Sequence, residues 1–169
     1  MSKLDIIKEF NKQCGDIVNT ALTISEKYTS TLDDCIHEVK ELLQNTSTLS
    51  NDDLEKYIAL LPVLMYELIH KMQVLGVRVD AAKTQKKTRF NTAYMHSDEC
   101  TVAAKTSDAQ LMVEEEQFIE DIYIRVYKQC EKKLDIADML HSSLKKLMNL
   151  RLNEFNVTRN NMLSNGRDY

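Results

Sequence analysis

Apolar residues recur at steps of three and four along most of this 169-residue chain, the spacing that gathers them on one face of an α-helix. From Lys3 to about Gln44 the series is Ile7, Phe10, Cys14, Ile17, Ala21, Ile24 and Tyr28, which then slips by one position to Leu32, Ile36, Val39 and Leu43. A seven-residue repeat of this kind favours a partner helix packed knobs-into-holes. The slip acts as a stutter that locally unwinds the seam, and Gly15 offers an alternative place for a kink. A first helix is therefore expected over residues 1–45.

Asn45-Thr46-Ser47-Thr48-Leu49 reads as a polar linker. Ser50 and Asp53 then have the spacing of a capping box, and Leu49 with Leu54 that of a hydrophobic staple, so a second helical segment is expected over 51–96. Pro62 either kinks this segment or splits it near Leu60, because proline removes a donor and crowds the preceding turn. The stripe Leu64, Leu68, Met72, Leu75, Val79, Ala82 thins beyond Ala82 to Phe90, Ala93 and Tyr94 among basic residues, the mark of a helix leaving its core. After a break at 97–101, Thr101 is placed to cap one long helix over 101–157, striped by Ile119, Ile122, Val126, Cys130, Leu134, Ala137, Leu140, Leu144, Leu147, Arg151 and Phe155. About fifty helical residues would span roughly 75 Å. Residues 158–169, with Asn160-Asn161 and Asn165-Gly166, are expected to form a flexible tail.

Only three Gly and one Pro exclude a β-rich fold, which needs turn residues every few positions. The expected fold is all-α: an elongated helical bundle with coiled-coil character, an antiparallel hairpin of three to four long helices forming a single domain over 1–169. A lone hairpin of this length would expose a wide apolar seam, so self-association into a homo-oligomer is expected. Cys14, Cys35, Cys100 and Cys130 lack the spacing of a disulfide framework and read as reduced thiols in a cytoplasmic protein. No apolar run approaches the ~18 residues of a membrane span, so no membrane association is expected.

The formal charge of −4 argues against a protein that coats nucleic acid over its whole surface, but it hides strong banding. Residues 1–62 hold −5, 78–96 hold +4, 97–123 hold −7 and 124–151 hold +4. In a hairpin pivoting near Glu99, Arg78 and Lys83 would meet Glu120, Asp121 and the Glu114–Glu116 block. Lys86, Lys87 and Arg89 would face residues 109–112, which carry no acid. Lys83, Lys87, Phe90 and Tyr94 share a helix face, and cations beside stackable rings suit single-stranded nucleic acid. The candidate site is accordingly Lys86, Lys87, Arg89, Phe90 and Tyr94. The same cations, if neutralised internally, would be structural. A second basic band of Arg125, Lys128, Lys132, Lys133, Lys145, Lys146 and Arg151 is interleaved with acids and reads as a solvated or subunit-pairing face.

Three carboxylate-x-x-His spacings occur, Asp34/His37, Glu67/His70 and Asp138/His141. Metal-binding bundles point such pairs into the core, whereas Glu67/His70 and Asp34/His37 lie off their apolar stripes. With no Cys-x-x-Cys pair, phosphate-binding loop or nucleophile elbow either, no metal, cofactor or catalytic residue is assigned and the chain is read as non-catalytic.

The order Ala82, Lys83, Lys87-Thr88-Arg89-Phe90, Ala93-Tyr94, a polar turn, Thr101-Val102-Ala103-Ala104-Lys105 and a closing Leu140-His141-Ser142-Ser143-Leu144-Lys145-Lys146-Leu147 resembles small phage helical proteins grouped with the UvsY recombination mediator family. The resemblance covers about residues 65–152. It implies a mediator that binds single-stranded DNA, assembles into a ring, and partners a recombinase and single-strand binding protein in the host cytoplasm. It also implies DNA contact by the Lys-x-Arg pair, here Lys87 and Arg89. The residues before about Leu61 have no counterpart in it. The alternative is a helical protein–protein interaction protein, such as a viral structural component, an adaptor or an inhibitor of a host factor, that does not bind nucleic acid.

Overall fold

The computed structural model describes the backbone of residues 3–44 and 49–165, and side chains over 15–44 and 49–159. Residues 45–48 of the expected linker, the side chains of Ile7, Phe10 and Cys14, and residues 166–169 lie outside the described residues. The fold is all-α, with four helices and no strand among the described residues: α1 (Lys3–Gln44), α2 (Asn51–His96), α3 (Val102–Leu111) and α4 (Glu114–Asn165).

The start of α2 follows from its first four residues. Ser50 Oγ accepts from the Asp53 amide at 3.0 Å, and the Asp53 carboxylate accepts from the Ser50 amide at 3.2 Å, a reciprocal cap. Leu49 and Leu54 flanking it are both buried. The helix then continues through Pro62 without a break. Pro62 is exposed, so water can reach the Ile58 carbonyl that the ring deprives of its donor, while Leu61 and Leu64 beside it are buried and hold the turn in place.

The single helix expected over 101–157 is interrupted. Thr101 caps a short α3, its Oγ1 accepting from the Ala104 amide at 3.2 Å, and α3 closes at Met112 and Val113 through bonds to Asp108 and Gln110 carbonyls. The Val113 carbonyl accepts the first bond of α4, from the Gln117 amide at 2.9 Å. Three successive glutamates in the first turn of α4 favour a helix N-terminus there, since exposed amides attract negative charge. Burial of Ala109 and Val113 fixes the corner. At the other end, α4 extends past Thr158, whose hydroxyl donates to the Glu154 carbonyl, to Asn165, so residues 158–165 of the expected tail are helical.

The chain divides into two compact units. One holds Met1–Thr29 and Ile69–Lys132, with Ala21, Leu75, Val79, Ala109, Val126 and Cys130 in its core. In it α2 runs antiparallel to α4: Lys86 meets Glu120 and Arg89 meets Glu116. The other unit holds Ser30–Leu68 and Lys133–Tyr169, around Leu32, Val39, Leu54, Leu61, Leu68, Ala137 and Leu144. Its helices are tied by Lys133 to Asp33, by the Tyr57 hydroxyl donating to Glu38 at 3.0 Å, and by Arg151 donating to the Leu49 carbonyl at 2.8 Å.

Two buried positions of α1 are polar. Ser25 and Thr29 are 1% exposed, which leaves Ile24 and Tyr28 half-buried. The hydroxyls donate back to the Leu22 and Ser25 carbonyls at 2.9 and 3.1 Å, so no donor is stranded. Helical periodicity in apolar residues alone passes over them.

Candidate functional site

The five residues singled out for nucleic acid, Lys86, Lys87, Arg89, Phe90 and Tyr94, occupy the last third of α2, and the structure gives them different fates. Lys86 Nζ lies 2.8 Å from Glu120 Oε2, and Arg89 Nη1 lies 2.7 Å from Glu116 Oε1. The expectation that Lys86 and Arg89 lack an internal counter-ion is therefore corrected. The error is one of register. A pivot near Glu99 would set residue 86 opposite 112, but the chain spends residues 97–113 on a turn and on α3. Alignment with α4 is thereby shifted by about two helical turns, which brings the acidic block to the end of α2.

Glu116 is 5% exposed, and its Oε2 has no hydrogen-bond partner among the described residues. A buried carboxylate is costly unless paired, so the Arg89 guanidinium is committed to it although that side chain is itself 56% exposed. Glu120 is shielded in the same way, its side chain 12% exposed beneath Lys86. The acids are held by their own neighbours as well: Gln117 Nε2 donates to Asp121 Oδ1 at 3.0 Å.

The pairing expected for Arg78 and Lys83 is also corrected. Arg78 donates to the Tyr28 hydroxyl at 3.3 Å, and Lys83 lies 3.7 Å from Asp80 on its own helix, both exposed. Lys87 is exposed and makes no ion pair among the described residues. Phe90 and Tyr94 stack on each other, centroids 6.3 Å apart and planes 20° from parallel, and both are half-buried. Their nearest stacking partner is thus each other. The candidate site is left with one free cation and a pair of mutually engaged rings.

Among the described residues no three His, Cys, Asp or Glu side chains gather as a metal site. His37 lies 3.3 Å from Glu41 on an exposed turn of α1. In the second basic band, Lys133 is paired with Asp33 and Arg151 is spent on the Leu49 carbonyl and Asn51.

A second feature of α2 is overshadowed in the sequence by its leucine stripe. Opposite its buried stripe, the helix carries Ala59, Val63, Tyr66, His70, Val74, Val77 and Ala81, all exposed. Val63 is 54%, Tyr66 72% and Val77 69% exposed. At 100° per residue these positions fall within about 80° of one another, so they form one strip. The leucines of the inner stripe dominate the pattern; the signal for the outer one was the seven-residue spacing 63–70–77 with 59–66. Apolar residues on both faces also make α2 long and apolar enough to cross a membrane by length and composition, with 28% of its most apolar window buried. That corrects the expectation that no segment approaches this threshold: Glu67 and Lys71 interrupt the run without offsetting its apolar content. No protein-family model, curated protein or solved structure matches the chain.

Proposed function

We propose that this chain is a non-catalytic helical interaction protein that acts by presenting the outer face of α2 to a helix of another protein molecule. The observation that carries this is the exposed strip from Ala59 to Ala81, apolar apart from His70, on a helix whose opposite face is already committed to the core. An apolar face this long on a water-facing helix is a cost unless something covers it. A single-stranded DNA role, and with it a mediator-like activity, would rest on Lys86, Lys87 and Arg89 together. Two of these are neutralised by Glu120 and Glu116, which leaves Lys87.

The test compares two variants. Val63→Asp with Val77→Asp places charge on the outer face at positions that contribute little to the core, so far-UV circular dichroism and the melting curve stay as in the wild type. Association with protein, followed by light scattering and by pull-down, is lost. Lys87→Ala leaves that association intact. The proposal fails if the outer-face variant associates as the wild type does, while a labelled oligonucleotide binds at low salt and is released by Lys87→Ala.

A further inference from the structure

We infer that the helix covering this face is α2 of a second copy of the chain, packed antiparallel about a two-fold axis at His70; this rests on the interaction role proposed above. The strip steps along the helix as 59, 63, 66, 70, 74, 77, 81. Read from either end, the intervals are four, three, four, four, three, four. A face that is to meet itself across a two-fold axis must present the same spacing in both directions, because every contact of residue i with j is repeated as j with i. The antiparallel register that superposes the strip on its copy sets Ala59 against Ala81, Val63 against Val77, Tyr66 against Val74 and His70 against itself. Small thus meets small at the two ends, and the bulk of Tyr66 is set against the smaller Val74.

Charge placement fits the same register. Glu67 and Lys71 flank the strip on one side of His70, and neither makes an ion pair among the described residues. In an antiparallel pair, flanking positions on one side of the seam meet the same side of the other helix. Glu67 then reaches Lys71 of the second copy, and Lys71 its Glu67, two symmetric pairs about the axis. Arg78 falls beside the second Pro62, and Asp80 beside the second Leu60, so neither meets a like charge. A parallel in-register pair would instead put Glu67 and Lys71 of the two copies on opposite sides of the seam, and neither charge would meet its complement. A lipid surface would have to accept both charges in the middle of the strip.

The register is tested by cross-linking in a Cys14→Ser/Cys100→Ser background, which removes the exposed Cys100 and the undescribed Cys14 side chain and keeps the buried Cys35 and Cys130. Val63→Cys and Val77→Cys chains are mixed and oxidised. The expected result is a disulfide-linked pair of one of each as the main product, with little linkage in Val63→Cys alone. In that homodimer the two introduced thiols would lie about 21 Å apart at 1.5 Å per residue, far beyond disulfide reach. Efficient linkage of Val63→Cys to itself overturns the antiparallel register. Two further outcomes overturn the second copy as occupant: a monomer that takes up phospholipid vesicles, or a monomer that captures a different protein through the same face. The last of these leaves the interaction role standing. A monomer indifferent to Val63→Asp with Val77→Asp in every assay overturns both.

Discussion

Removing the Arg89 guanidinium is expected to destabilise the fold rather than disable a binding surface. In Arg89→Ala, Glu116 keeps its place, 5% exposed, with one oxygen already unpartnered and the other stripped of its 2.7 Å ion pair. Breaking a fully buried pair by deleting one member costs about 3–5 kcal/mol. Here the arginine side chain is 56% exposed, so solvent screens part of the interaction, and about 2 kcal/mol is the appropriate scale. For a chain of this length that lowers the melting temperature by about 4–8 °C. Replacing both partners, as Arg89→Met with Glu116→Leu, returns most of the loss because no buried charge remains. Urea titrations followed at 222 nm on the wild type, both single variants and the double variant give the coupling energy directly. A coupling below about 0.5 kcal/mol, with Arg89→Ala weakening oligonucleotide binding at unchanged stability, would refute the assignment of this arginine to Glu116.

Three smaller effects follow from local geometry. Gly76→Ala should stabilise by about 0.5–1 kcal/mol, since a methyl there meets only the Tyr127 ring at 3.8 Å and glycine costs that much inside a helix; a lower urea midpoint would show that the neighbourhood cannot take it. Ser50→Ala should cost about 1 kcal/mol through loss of the cap. Its hydrogen bonds to Asp53 hold that carboxyl below the usual range, so the wild type's advantage is present above about pH 4, is lost as pH falls below it, and narrows in acid melts. Burial, and then its hydrogen bond to Glu38, push the Tyr57 phenol up to about 12 from 10.0. The folded state therefore holds that proton more tightly, and the stabilisation, complete below pH 10, fades as pH rises toward 12. Urea midpoints across that range should decline less for Tyr57→Phe, and equal slopes would show that Tyr57 is not the group responsible.

Much of the fold is legible in the sequence because helices announce themselves by period. The α2 stripe Leu64, Leu68, Met72, Leu75, Val79 and Ala82 is buried throughout, and the Ser50–Asp53 cap stands where the spacing sets it. What the period cannot give is how two helices align across a connection. The corner at Val113 depends on three glutamates preferring a helix start and on Ala109 finding a buried site, and it moves the α2–α4 register by about two turns. That shift alone converts Lys86 and Arg89 from free cations into partners of Glu120 and Glu116. Ser25 and Thr29 were hidden for a different reason: a hydroxyl that bonds its own helix can be buried like a methyl group. The outer strip of α2 was masked by the stronger leucine stripe on the same helix.

Light scattering across a concentration series, with and without a single-stranded oligonucleotide, tests most directly whether the outer face of α2 binds a second copy. The account predicts that the mass rises with concentration to twice the 19.6 kDa of one chain, is unchanged by oligonucleotide, and stays at 19.6 kDa for Val63→Asp with Val77→Asp. A wild type that remains monomeric alone and gains mass only when oligonucleotide is added would contradict it.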